Sequence, residues 1–255
     1  YFVDAYTTIA QWCSVVRRLD GFNRHVGEAL DLKSDLMIDN ASNITVGIEN
    51  VDVFLPNKNK DILIKDCTID LMKYQSLLIM GASGVGKSTL LRTLAGLWPY
   101  AKGNVYLPKE EEFLFLPQRP YLPLGSLRQA ISYPVVEEVI SEKYSDEEIK
   151  EILIACKLEN LADKLDIVDD WSRILSLGEQ QRIAFVRILL YRPEFVFLDE
   201  ATSALDEDLE GNLYDMLKIH LPNTKIISIA HRSSLIAKHQ AILRLKEKGC
   251  WEIHE

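Results

Sequence analysis

Residues 76–99, SLLIMGASGVGKSTLLRTLAGLWP, allow very few local geometries. The run SLLIM is short and apolar, as expected of a strand buried on both faces. The glycines at 81, 84 and 86 permit the positive φ angles of a tight turn. After Ser88, Leu90, Leu91, Leu94 and Leu97 recur at helical spacing, and Pro99 marks the expected stop. A strand, a glycine turn and a helix in direct succession aim consecutive backbone N–H groups, and the positive end of the helix, at one point. Gly81, Gly86, Lys87 and Ser88 complete the spacing GxxxxGK[ST]. Such a loop cradles a nucleoside triphosphate or a similar anion, so Gly81, Ala82, Ser83, Gly84, Val85, Gly86, Lys87, Ser88 and Thr89 are candidate binding residues. Lys87 is placed to reach the β- and γ-phosphates, and the Ser88 hydroxyl to sit on Mg²⁺. A chance match arises in on the order of one in a few hundred chains of this length, so a plain glycine turn is the weaker reading.

The remaining pattern places this loop in an α/β fold. Thr45–Phe54 and ILIKDCTIDL read as early strands joined by a turn at 56–61, an N-terminal antiparallel β region. EFVFLDE (194–200) and KIISIAH (225–231) are short apolar runs like SLLIM. Between about 120 and 176 the pattern turns helical, with Ser145 and Glu148 spaced as a capping box. Strands alternating with helices predict a mostly parallel sheet with right-handed crossovers.

A strand that delivers two carboxylates at its C-terminal end, as FVFLDE does, needs a reason, because an unpaired buried charge is costly. Ligands bind at that edge of an open α/β sheet. Asp199 is therefore a candidate to hold Mg²⁺ through water, and Glu200 to orient and deprotonate an attacking water. Taken alone, the pair also fits an acidic helix start.

Composition narrows the partners. A net charge of −9 over 255 residues argues against a broad phosphate-binding face, so no nucleic acid partner is expected. The four cysteines, Cys13, Cys67, Cys156 and Cys250, show no CxxC spacing and read as free thiols. Residues 1–30 read as a helix with Phe2, Tyr6, Ile9, Cys13 and Val16 on one face, too charged to sit in a bilayer. Residues 31–44 read as a linker, and 45–255 as the nucleotide-binding unit. The start at Tyr1 suggests a piece of a longer polypeptide, with the helix as the extension of a missing membrane domain.

Further along lie LSLGEQQR (175–182) and YRPEFVFLDEATSALD (191–206), flanked by LPQRP (116–120) and IAHR (229–232). With the glycine loop, this order resembles the ATP-binding cassette (ABC) transporter ATPases over roughly residues 45–245. The resemblance implies a P-loop NTPase core with a helical subdomain, binding ATP and Mg²⁺. It also implies a homodimer in which two copies sandwich two ATP molecules. Ser176 and Gly178 of one copy would then touch the γ-phosphate held by the other, with Asp206 at the seam. Gln118 would sense Mg²⁺ and the attacking water, and His231 would contact the γ-phosphate. Leu177 and Glu179 depart from the usual LSGGQ; the Glu179 side chain is expected to point away from the phosphate. The aromatic residue that usually stacks on adenine is replaced in VFLP by Leu55, with Phe54 one residue earlier.

LPQRPYLPLGSLRQAISYP, WSRILSLGEQQR and Trp171 resemble one branch: peroxisomal fatty-acyl half-transporters and bacterial relatives that move peptides or cobalamin-type compounds. That branch implies an ATPase that powers solute transport from the cytosolic face of a membrane, with a transmembrane domain on the same chain. A soluble ABC-type ATPase serving DNA repair or translation is the alternative. A regulatory module without catalysis is disfavoured by the joint presence of Lys87, Gln118, Asp199, Glu200 and His231.

Overall fold

The computed structural model of the chain describes residues 2–30, 35–39, 46–57, 61–109 and 112–255. A long helix, α1 (Phe2–Leu30), leads into the short strand β1 (Asp35–Asp39). Then come β2 (Gly47–Phe54), β3 (Ile62–Asp70), β4 (Ser76–Gly81) and, across the glycine loop, α2 (Lys87–Leu94). Strands β5 (Ala101–Tyr106) and β6 (Phe113–Leu116) follow. A mainly helical stretch contains β7 (Gly125–Ser126), α3 (Leu127–Ser132), α4 (Glu137–Lys143), α5 (Asp146–Ala155), β8 (Val168–Asp169) and α6 (Trp171–Ile174). The chain ends with α7 (Leu177–Tyr191), β9 (Phe195–Asp199), α8 (Glu207–His220), β10 (Lys225–Ile229), β11 (Ala241–Leu245) and β12 (Trp251–His254).

The larger sheet has the order β12–β11–β4–β10–β9–β6. All its pairings are parallel except β11 with β12. Its central strands are apolar on both faces because each face covers a separate core. Leu77, Ile79, Phe195 and Phe197 pack toward α2 and the smaller sheet, while Leu78, Val196 and Leu198 pack toward α7, α8 and the helical stretch. Burying a side chain such as Phe197 contributes about 2 kcal/mol, so these short runs are firmly set in the fold.

The smaller sheet, β1–β5–β2–β3, is mixed rather than purely antiparallel. Strand β2 runs antiparallel to β3 and β5, but β1 runs parallel to β5. Strand β1 falls inside the expected linker, whose residues 31–34 and 40–44 lie outside the described residues, as do 58–60 of the expected turn. At the edge of the sheet, β1 buries Leu36 alone.

Helix α2 stops earlier than the leucine spacing suggests. Gly96 has φ +70°, and a Cβ there would lie 2.5 Å from Leu107 Cδ1. The Gly96 N–H reaches Thr93 O and the Leu97 N–H reaches Arg92 O, the two bonds of a glycine helix stop. Leu97 is thereby exposed, not inward. The expected capping box of Ser145 and Glu148 is present at the start of α5. The buried Trp171 donates its indole N–H to Gly125 O, tying α6 to β7. All four cysteines are free, and burial pushes the Cys67 and Cys156 thiols up to about 12. On α1, Tyr6, Ile9, Trp12, Leu19 and Phe22 are exposed. Among the described residues, no helix is long and apolar enough to cross a membrane.

Candidate functional site

Four neighbouring parallel strands, β4, β10, β9 and β6, end side by side. Each places a candidate residue at or just past its C-terminal end: the glycine loop with Lys87, then His231, then Asp199 and Glu200, then Gln118. This edge is where an open α/β sheet offers its crevice.

The loop depends on its glycines. Gly84 and Gly86 have φ of +78° and +103°, and a Cβ on Gly81 would lie 2.6 Å from Leu245 O. Lys87 folds back over the loop, its Nζ donating to Gly81 O (3.1 Å) and Ala82 O (2.9 Å). Burial pushes the Lys87 ammonium below its ordinary range, opposed by the nearby Glu200 and Asp199. A charged ammonium satisfied only by two carbonyls is well suited to exchange them for an anion.

Asp199 is 4% exposed, and its charge is matched from α2. Ser88 Oγ donates to Asp199 Oδ1 (2.6 Å), and Arg92 approaches Oδ2 at 3.4 Å. Arg92 escaped the sequence reading. It lies four residues after Ser88, on the same helix face, but its partner Asp199 is 107 residues away. Ser88 and Asp199 together offer hard oxygen donors. Among the described residues, no group of three or more His, Cys, Asp or Glu could hold a metal alone. That sparse oxygen set fits Mg²⁺, which keeps several waters and takes one or two carboxylates plus substrate phosphates.

Glu200 is held from both sides. Gln118 Nε2 donates to its Oε2 (3.1 Å), and His231 Nε2 lies 2.7 Å from its Oε1. Glu200 itself has a left-handed backbone, φ +52°. Gln118 and His231 are exposed, so the group opens to solvent.

The other expected residues lie apart from this cluster. Ser176 caps α7 in a reciprocal box: its Oγ donates to Glu179 Oε2 (2.7 Å), its N–H reaches the same oxygen (3.0 Å), and the Glu179 N–H returns to Oγ (3.3 Å). The Glu179 carboxylate therefore sits on Ser176, a contact the sequence reading did not include. Burial raises the Glu179 acid, but Ser176, Asn160 and Arg182 outweigh that and the net shift is downward. Gly178 runs close to the next loop, with a Cβ position 3.3 Å from Ala204 O. Asp206 caps α8 through the Leu209 N–H (2.8 Å). Arg232, beside His231, was missed. It pairs with the buried Glu210 (3.1 Å) and donates to Leu205 O (2.6 Å), holding the loop before Asp206.

A cavity of about 310 Å³ flanks the glycine loop, lined by Ile62, Leu63, the loop itself and residues 246–249. None of its lining side chains is aromatic, and neither Phe54 nor Leu55 is among them.

Comparison with known proteins agrees with this arrangement. Residues 64–203, more than half of the chain, match the family described as ABC transporter. An uncharacterized ABC transporter ATP-binding protein of Haemophilus influenzae is 49% identical over 191 residues, covering 75% of this chain and 31% of its own length. ATP-binding cassette sub-family D member 1 of Drosophila melanogaster is 36% identical over 224 residues, covering 85% of this chain and 30% of its own. The chain thus spans about a third of the length of these curated relatives. A bacterial Atm1-family ABC exporter with ATP bound shares the fold, with a TM-score of 0.67 at 24% identity over 83% of this chain and 39% of that one. Strand ends that converge on an intact glycine loop, joined to a family match that spans three of the four (β4, β6 and β9) and to relatives matched over most of the chain, place the chain in the ABC transporter family as an ATP-binding domain.

Proposed function

We propose that this domain hydrolyses ATP to ADP and phosphate, and that it does so as one half of a homodimer coupled to a membrane domain on the same parent chain. The observation that carries the reading is the Gln118–Glu200–His231 group standing beside the Lys87 loop. Lys87 exchanges its two carbonyls for the β- and γ-phosphates. Glu200 accepts a proton from water, with Gln118 and His231 fixing the direction of its two oxygens. Ser88 and Asp199 would hold Mg²⁺, which when bound neutralises charge between the β- and γ-phosphates.

Ser176, Gly178 and Asp206 are exposed or half-exposed, and the side chains of Ser176 and Asp206 bond within their own helix starts, not to the Gln118–Glu200–His231 group. In this reading they complete the site of a second copy. Triphosphate then favours the closed pair, and cleavage releases it, because the ligand binds the two states differently. Residues 1–30 act as the connector to the membrane domain, 31–44 as the link, and 45–255 as the nucleotide-binding domain at the cytosolic face. The transporter names of the relatives support this over a membrane-free ATPase.

The test is Glu200→Gln. Hydrolysis should fall by about 10²- to 10⁴-fold, the range of a lost general base. ATP binding should stay within about twofold, and a nucleotide-bound dimer should persist in light scattering. Undiminished turnover would remove Glu200 as the base.

A further inference from the structure

Gln181, in the second turn of α7, is completely buried, yet nothing in the site as described uses it. Its amide reaches two other segments. Nε2 donates to Gln118 O (2.9 Å) and to Ser203 Oγ (3.1 Å), while Oε1 accepts the Ala204 N–H (2.9 Å). Both amide hydrogens and one oxygen lone pair are thus engaged, and rotation of the side chain would break all three bonds in a dry site.

The two segments it joins are the two ends of one hydrogen bond. Gln118 donates from one end. Glu200, which receives, is the start of the turn that Gln181 holds, since the Ser203 N–H bonds to Glu200 O (3.1 Å). We propose that Gln181 is a positioning residue for hydrolysis: it sets the separation of the Gln118 amide and the Glu200 carboxylate, and ties both to helix α7. The inference rests on the hydrolytic reading above. Ser176 lies five residues before Gln181 on the same unit, about 7.5 Å of helix rise. A displacement of the signature end of α7 is therefore transmitted to Gln118 and Glu200 without passing through the nucleotide.

The experiment uses the 255-residue chain with Gln181→Met, which keeps the volume and removes the bonds, and Gln181→Glu, which keeps only the acceptor. For both, kcat should fall about tenfold or more, the scale of a small misplacement, with the KM for ATP within about twofold. In a Gln118→Ala background, Gln181→Met should lower kcat by less than it does in the unmodified chain, because only its hold on the Glu200 turn is left to lose. Losses that multiply in the double variant, or a KM that rises while kcat holds, overturn the proposal.

A second readout does not depend on turnover. In the unliganded Gln181→Met chain, hydrogen exchange should quicken at Ala204 and across residues 116–119, and stay unchanged in α8. Unchanged exchange at 116–119 overturns the inference even if the chain hydrolyses ATP. Absence of hydrolysis in the unmodified chain would sink the proposed function alone. If neither Gln181 variant folds, Ser203→Ala removes one bond at an exposed position and should lower kcat about threefold. No loss there would leave Gln181 a packing residue and overturn the proposal.

Discussion

The glycine-loop cluster and the helix starts at Ser176 and Asp206, proposed above as the second half of a shared site, are built in opposite ways. In the first, side-chain bonds span the chain: Ser88 to Asp199, Gln118 to Glu200, Glu200 to His231. Four strands and one helix must be in place before any of them forms. In the second, Ser176 bonds Glu179 and Asp206 bonds Leu209, each three residues away on its own helix. The first half is a product of the tertiary fold. The second is a pair of helix starts that would form in almost any context. A surface whose polar groups are satisfied only locally is free to be shared, which is what a site completed by another copy requires.

The largest effect should come from the tertiary half. Lys87→Ala should weaken ATP binding by about 2–3 kcal/mol, roughly 100-fold, in calorimetry. Ser176→Ala should separate the halves. ATP binding by the single chain should hold within about twofold, hydrolysis should fall roughly tenfold, and chemical denaturation should show about 1 kcal/mol lost with the helix cap. Equal weakening of ATP binding by both substitutions would break the comparison. The smallest effect belongs to Glu179. Its acid is held below the usual 4.5, so its stabilising contribution is present above that value and is lost as pH falls through the folded value. Glu179→Gln should flatten this part of the stability–pH curve as the pH falls from neutral through 4.5 and below. An unchanged curve would mean that the box gains nothing from the charge.

The same contrast explains what the sequence revealed. Strands β4, β9 and β10 were plain because burial on both faces writes an uninterrupted apolar run. Strand β1 was not, since an edge strand that buries Leu36 alone carries no alternation. The end of α2 was misjudged because Leu97 keeps the helical spacing; Gly96, which ends the helix, spoke more strongly than Pro99. Within the site, residues that fall in linear motifs were legible one by one. Arg92, Gln181 and Arg232 were not, because their partners lie 107, 63 and 22 residues away in the bonds they make. The box between Glu179 and Ser176 was not foreseen, because only repulsion from a ligand was weighed at Glu179.

The left-handed backbone at Glu200 has a consequence for how this chain can vary. A bulky side chain in that region costs about 1–2 kcal/mol, a cost that glycine would not incur. Selection for a sturdier domain would therefore drift toward glycine at 200, and, with Glu200 as the proposed base, selection for turnover would hold glutamate there. Position 200 is where durability and chemistry ask for different amino acids.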